Sequence, residues 1–152
     1  MARAPFQVLV YPCRQVGDNE FEYALLKRSD AGWWQAVAGG GEDNETPLEA
    51  AIRETREEAG ISSEAHFLQL DTVEPIRVTE FRDSHFWGER VYVIPQYCFG
   101  VLVPDGRITL SREHTDYKWL KYDEAYNLLK YDGNRTALWE LNQRLRGRGP
   151  RG

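Results

Sequence analysis

Three glutamates, Glu54, Glu57 and Glu58, fall within five consecutive residues of one short stretch. At about 100° per residue they gather on one face of a helix, one turn apart. Like charges at these spacings repel by about a few tenths of a kcal/mol each, so such a face favours a counter-ion. A hard divalent cation with oxygen ligands is the natural candidate. The alternative is an ordinary solvated acidic face trimmed by Arg53 and Arg56.

The same stretch carries start and stop signals for that helix. Thr46 is placed as the N-cap, Pro47 takes the first helical position, and Glu49 completes a capping box. Gly60 is the expected C-terminal stop. Ala50 lies one turn before Glu54 and is expected to leave room for an approaching group. The residues predicted to face the core are Leu48, Ala51, Ile52, Thr55 and Ala59.

A strand-like run ending in three glycines, Gly39 to Gly41, precedes the helix, which predicts a loop built for close backbone approach. Gly39 is followed after five residues by Glu45, and Glu45 after seven residues by the run Arg53–Ile61 (RETREEAGI). This spacing resembles the signature of the Nudix hydrolases. Thr55 stands where that family usually has an aliphatic residue.

The Nudix resemblance implies a role for each matching residue. The implied metal ligands are Glu54, Glu57, Glu58 and the backbone carbonyl of Gly39, holding Mg²⁺, with Mn²⁺ as a substitute. Arg53 would hold a carboxylate, Glu57, in its ligating orientation. Glu45 and Gly60 would support the structure.

Further segments resemble the dihydroneopterin triphosphate pyrophosphohydrolases within this family. They are Glu113–Leu120 (EHTDYKWL), Lys27-Arg28 before Trp34-Gln35, and Arg77–Phe81 (RVTEF). The resemblance implies that Glu113 is an extra metal ligand or base and that Lys27 and Arg3 contact substrate. Lys27 is equally well explained as an exposed strand-end cation. The candidates for stacking on a purine or pterin ring are Trp33, Trp34, Phe86 and Trp87. His114 is expected to be structural.

A cation held by such carboxylates beside a phosphate chain suits water attack on phosphorus within a diphosphate linkage. The resemblance implies a nucleoside triphosphate or dihydroneopterin triphosphate as substrate, giving a monophosphate and pyrophosphate. Dinucleoside polyphosphates and ADP-ribose are alternatives. A catalytically silent, nucleotide-sensing domain is a further one, which the complete set of signature Glu and Arg residues disfavours.

The composition bounds the class. A chain of 152 residues is long enough for one domain, placed at residues 1–146, with a disordered Arg- and Gly-rich tail at 147–152. The net charge of −5 argues against general nucleic-acid binding. Two cysteines without a CxxC spacing predict buried, reduced thiols, and the absence of a signal peptide or apolar span predicts a cytoplasmic protein. The resemblance implies a small-molecule phosphoanhydride substrate and a monomer or homodimer.

The element pattern predicts an α/β (α+β) layered sandwich, and the resemblance implies the Nudix fold, a mixed sheet between helices. The predicted strands are 6–11, 21–28, 33–38, two stretches of 67–81 broken at Pro75, 91–103, and 117–120. The predicted later helices are 122–130 and 134–145. Pro95 is expected to place its strand at an edge or in a bulge. Residues 83–89 and Glu113-His114 are expected in loops.

Overall fold

The structure is a computed structural model that describes residues 2–147. The strands are β1 (Arg3–Gly17), β2 (Glu20–Arg28), β3 (Trp34–Gln35), β4 (Val37–Glu42), β5 (Phe67–Arg77), β6 (Val93–Leu102) and β7 (His114–Lys121). The helices are α1 (Pro47–Ala59), α2 (Tyr122–Leu128) and α3 (Asp132–Leu145). Two short 3₁₀ segments, Val78–Glu80 and Arg82–Trp87, follow β5.

All seven strands form one mixed sheet. Its main path runs β3-β2-β1-β6-β5, while β4 pairs with β1 and β7 pairs with β2. Strands β1 and β6 are parallel, and the other pairs are antiparallel. The predicted sandwich with a mixed sheet between helices is confirmed.

Two cores form because alternate residues of a strand point to opposite faces of the sheet. On β1, Val8 and Val10 pack into the core beneath α1. Leu9 and Tyr11 pack into the core beneath α2 and α3. All four are at most 2% exposed, so the central strand is apolar on both sides.

Helix α1 begins and ends where the sequence predicts. The Thr46 amide donates to Glu49 Oε1 at 2.9 Å, and the Glu49 amide donates to Thr46 Oγ1 at 3.2 Å. Gly60 has φ 66° and donates its amide to the Arg56 carbonyl at 3.0 Å. That left-handed conformation favours glycine.

The buried face of α1 is rotated from the predicted one. Its buried residues are Ala50, Ala51, Thr55, Glu58 and Ala59. Leu48 is 43% exposed, so the prediction that it faces the core was wrong. Ala50 is fully buried in the core beneath α1. Small side chains at the interface let α1 lie close to β4, and this close approach takes Glu58 into the protein.

The predicted glycine loop is strand. Gly39 and Gly40 belong to β4 and lie opposite Val8 and Gln7 of β1. Side chains from other elements occupy the space beside them, Glu54 at Gly39 and Arg3 at Gly40. The close approach predicted from these glycines therefore exists, but on the face of a paired strand.

The proline prediction for β6 is confirmed. Pro95 lies opposite Pro75 of β5, and the pairing of β6 with β1 begins only at Gln96, opposite Gln7. The predicted break at Pro75 was wrong, because β5 continues through it. Strand β5 is at the edge of the sheet, where a missing amide costs no ladder bond on the open side.

Strand β7 begins earlier than predicted, at His114, so this residue is not in a loop. Cys13 and Cys98 are buried free thiols. Most of the predicted tail, residues 148–152, lies outside the described residues. Within the described chain, no helix is both long and apolar enough to cross a membrane.

Candidate active site

A cleft of about 1010 Å³ opens beside the carboxylate-bearing helix. Gly39 of β4, Glu54 of α1 and Glu113, just before β7, all line it. These residues are far apart in the chain. The sheet brings them together, because β4 pairs with β1, and β7 joins through β2.

Arg53 organises the residues that enter the cleft from α1. Its guanidinium donates to both carboxylate oxygens of Glu45, at 2.8 and 3.0 Å, and to the Gly40 carbonyl at 2.8 Å. It also donates to Glu54 at 2.8 Å and, at the longer distance of 3.4 Å, to Glu57. The hydrogen bonds from Arg53 hold the pKa of Glu45 below its usual value.

The orientation of Glu54 therefore depends directly on Arg53, whereas the sequence had paired Arg53 with Glu57. The Glu57 side chain is 54% exposed and only loosely held. A bidentate pair such as Arg53–Glu45 fixes direction as well as distance. Through Arg53, Glu45 connects the loop before α1 to the carboxylate in the cleft.

Glu58 is the buried carboxylate of the site, at 3% exposure. Burial, helped by the neighbouring Glu54 and Glu113, raises its pKa to about 10 against the opposing charge of Arg28. Its Oε2 atom is buried and accepts no hydrogen bond from the described residues. A buried acceptor without a partner is costly, so this atom fits a cation ligand.

Glu113 and His114 complete the cluster. The Ser29 amide donates to the Glu113 carbonyl at 3.0 Å, which ties the turn before β7 to the end of β2. One ligand atom from each of Glu58, Glu113 and His114 lies within 4.8 Å of the others. His114 Nε2 is 3.8 Å from Glu58 Oε1.

His114 is 6% exposed, and neither ring nitrogen has a hydrogen-bond partner in the described chain. Burial lowers its pKa, so the ring is neutral at pH 7 and has a free nitrogen lone pair. The sequence favoured a structural role for His114. The structure instead places it within reach of the carboxylates.

These donors suit a hard divalent cation. The oxygens of Glu58 and Glu113 converge, the orphaned Oε2 of Glu58 needs a partner, and Glu54 is fixed nearby by Arg53. Mg²⁺ prefers oxygen ligands and retains several waters, so one or two carboxylates satisfy it. The residues present therefore fit such an ion.

Two of the predicted substrate residues do not line the cleft. Lys27 and Trp34 are opposite one another on β2 and β3, and Trp34 packs against the core beneath α2 and α3. Trp33, another of the stacking candidates, does line the cleft, and so does Arg28, the chain neighbour of Lys27. Alternation along β2 explains the difference between Lys27 and Arg28. Strand phase could have shown it, because Leu26 and Arg28 share a face.

Arg3, the third predicted substrate residue, does line the cleft. Its guanidinium lies 5.2 Å from the centre of the Phe81 ring, and its Nη2 donates to Gln7 at 3.0 Å. Its Nε is buried with no hydrogen-bond partner among the described residues. Arg112, which the sequence did not single out, is a further cation in the lining.

The fold and the carboxylate-bearing helix define the class, a phosphoanhydride hydrolase. The chain belongs to the Nudix family, since the NUDIX domain model matches residues 7–140. Nudix hydrolases act on small phosphoanhydride substrates and generally need a divalent metal ion.

Three relatives show the range of the family around this chain. It is 32% identical to dihydroneopterin triphosphate diphosphatase of Escherichia coli, over 90% of this chain and 91% of that one. It is also 32% identical to the asymmetrical bis(5'-nucleosyl)-tetraphosphatase of Sus scrofa, over 86% of this chain and 85% of that one. A crystal structure of a NUDIX hydrolase from Listeria monocytogenes superimposes with a TM-score of 0.84 at 39% identity. The match covers 95% of this chain and 96% of that one.

Proposed function

We propose that this chain is a Mg²⁺-dependent pyrophosphohydrolase of a nucleoside triphosphate or of dihydroneopterin triphosphate. The products are the corresponding monophosphate and pyrophosphate. The observation that carries the proposal is the convergence of Glu58, Glu113 and His114, with ligand atoms within 4.8 Å, beside a cleft that Glu54 also lines. The 32% identity to the E. coli diphosphatase supports this substrate class.

The protein residues divide the work between holding charge and placing groups. Glu54 and Glu58 would hold the cation, Glu113 would be a further ligand or the base, and Arg53 keeps Glu54 in position. A bound Mg²⁺ supplies neutralisation of the phosphate charge and a lowered pKa for a coordinated water. Arg28, Arg112 and Arg3 line the same cleft and offer N–H donors to phosphate oxygens.

Neutral His114 and the carboxylate of Glu113 are the two candidates for taking a proton from the attacking water. Glu113 is exposed beside the cleft, whereas His114 is buried behind it. Access therefore favours Glu113 as the base and leaves His114 as a partner of Glu58. A general base must reach the proton that it removes.

The test is a substrate screen with purified protein and Mg²⁺. Dihydroneopterin triphosphate, the nucleoside and deoxynucleoside triphosphates, dinucleoside tetraphosphate and ADP-ribose are compared by kcat/KM. Products are identified, and ¹⁸O-labelled water locates the phosphorus that is attacked. We expect pyrophosphate release from a triphosphate, with no turnover in excess chelator. Release of orthophosphate alone, or turnover without any divalent ion, would reject the proposal.

A second candidate is hydrolysis of a dinucleoside tetraphosphate. The 32% identity to the Sus scrofa tetraphosphatase over 86% of this chain favours it. The same screen separates the two, because a tetraphosphate substrate would give a nucleoside triphosphate and a monophosphate rather than pyrophosphate.

A further inference from the structure

Four polar side chains form a hydrogen-bonded row across the sheet at the wall of the cleft. Arg3 Nη2 donates to Gln7 Oε1 at 3.0 Å, Gln7 Nε2 donates to Gln96 Oε1 at 3.1 Å, and Gln96 Nε2 donates to Glu74 Oε2 at 2.6 Å. The strand register produces the row, because Gln96 lies opposite both Gln7 on β1 and Glu74 on β5. Side chains of directly opposed residues share a face.

The direction of this row is fixed by its two ends. A guanidinium can only donate, and an ionised carboxylate can only accept, so both glutamine amides must be oriented as observed. Gln96 is 4% exposed, which leaves it no freedom to reorient toward solvent. The row therefore ends in the carboxylate of Glu74, which is linked to Arg3 through the two glutamine amides.

Glu74 has more acceptor capacity than the protein uses. Only its Oε2 accepts a hydrogen bond from the described residues, although a carboxylate has about four lone-pair sites. Burial raises the pKa of this carboxyl, against the opposing hydrogen bond from Gln96. Gly133 at the start of α3 leaves the room that the carboxylate occupies. A half-buried acceptor in a ligand cleft is best satisfied by donors on the ligand.

We propose that Glu74 is a specificity-determining residue that selects a substrate ring with a 2-amino-4-oxopyrimidine edge, as in guanine or a pterin. This inference rests on the proposed function. In such an edge a ring N–H and an amino N–H lie side by side, so they match the two oxygens of one carboxylate. Adenine places an acceptor nitrogen beside its amino group, and that nitrogen opposes a carboxylate.

Aromatic residues stand ready to hold the faces of the same ring. Trp33, Phe81 and Tyr131 line the cleft with Glu74. Aromatic side chains supply apolar contact to a planar heterocycle whatever its edge carries. They therefore set affinity for a ring, while Glu74 sets which ring.

The experiment compares wild type with Glu74→Gln, a change that keeps size and removes the paired acceptors. The substrates are GTP, ITP, which lacks the amino group, ATP and dihydroneopterin triphosphate. We expect wild type to favour GTP over ATP by at least about tenfold in kcat/KM, with ITP between them. In Glu74→Gln, kcat/KM for GTP and for dihydroneopterin triphosphate should fall by about tenfold or more, because KM rises. The kcat/KM for ATP should change by less than about threefold.

Glu80→Gln is the matched control, because Glu80 also lines the cleft but is exposed. Glu80→Gln removes the same charge near an anionic substrate. It should therefore change kcat/KM by the same factor for every substrate and leave the ratio of the GTP and ATP values unchanged. If Glu74 had only a structural role, Glu74→Gln would lower kcat/KM equally for every substrate and would also lower the melting temperature. The relative rates of GTP and dihydroneopterin triphosphate show which ring is used.

Equilibrium binding of α,β-methylene GTP and α,β-methylene ATP provides a readout independent of turnover, because both analogues resist cleavage between the α and β phosphorus atoms. Loss of guanine preference in Glu74→Gln supports the inference even if no triphosphate is hydrolysed, an outcome that would reject only the proposed function. An equal GTP-to-ATP ratio in wild type and Glu74→Gln, in binding and in kinetics, overturns the inference. So does a wild-type preference for ATP.

Discussion

The carboxylate of Glu54 occupies the space that any side chain at residue 39 would need. A Cβ built on Gly39 would overlap the carboxyl group of Glu54, and no other residue of the described chain comes as close to it. The glycine of β4 and the glutamate of α1 are thus one unit, since the absence of a side chain on the strand sets the place of the carboxylate.

Replacement of Gly39 by alanine should displace Glu54 without unfolding the protein, because the backbone there is ordinary strand. We expect kcat to fall by at least about tenfold, equivalent to roughly 1.4 kcal/mol, together with weaker Mg²⁺ activation. Steady-state kinetics against Mg²⁺ concentration measures both. Gly17→Ala is the control, since a Cβ there meets only the flexible Glu20 side chain. Equal activity of both variants would show that Glu54 need not keep this position.

Glu58→Gln should abolish turnover yet leave the metal-free protein at least as stable as wild type. Because the folded-state pKa of Glu58 lies far above its ordinary value of 4.5, ionising this group opposes folding. Its contribution to stability falls as pH rises from 4.5 toward the raised pKa. Glutamine removes that penalty. Melting temperatures from pH 5 to 8 in chelator check this, and a variant that melts well below wild type at pH 8 contradicts it.

Magnesium should raise the melting temperature of the wild-type protein, because it binds the folded state only. The same addition should leave Glu58→Gln almost unchanged. Calorimetric scans with and without Mg²⁺, with Ca²⁺ for comparison, provide the measurement. An equal rise in both proteins would place the ion elsewhere.

Glu113→Ala should lower kcat by at least about tenfold, roughly 1.4 kcal/mol, because it removes an exposed carboxylate from the cation cluster. Asp116→Ala is matched to it, as an exposed carboxylate two residues into β7 outside the cluster. Kinetics of both variants at saturating Mg²⁺ decide the point. If the two behave alike, Glu113 has no special part in the reaction.

Glu140 should stabilise the protein in a pH-dependent way. It accepts hydrogen bonds from the Asp71 amide, the Thr72 amide and the Thr72 hydroxyl, and pairs with Arg144. Burial opposes its ionisation, but these bonds outweigh burial and hold its pKa below the ordinary value. They also anchor α3 to the irregular pairing of β5 between Gln69 and Val73.

Replacement of Glu140 by glutamine should therefore cost about 1–3 kcal/mol at neutral pH. A lowered carboxyl pKa stabilises above the unfolded value of 4.5 and ceases to do so as pH falls through the folded value. The difference from wild type should thus shrink below pH 4.5. Urea unfolding at pH 7 and pH 4 measures it, with the exposed Glu64→Gln as a reference. A difference that stays constant with pH would assign the effect to packing.

The sequence by itself determined the helix and the class of chemistry. Local hydrogen bonds fix the caps at Thr46 and Gly60, and helical periodicity places the glutamates on one face. The spacing from Gly39 can likewise be read within this one stretch. Together they were sufficient to predict α1 and the kind of bond that is broken. The mixed sheet between helices followed from the resemblance and the order of the strands.

Only the tertiary structure decided which side chains share the cleft. The rotation of α1 that buries Glu58 depends on how closely the helix packs on β4. The row from Arg3 to Glu74 joins three strands whose register no local pattern encodes. Such contacts arise from long-range pairing: Gln7 and Gln96, 89 positions apart along the chain, meet across the sheet.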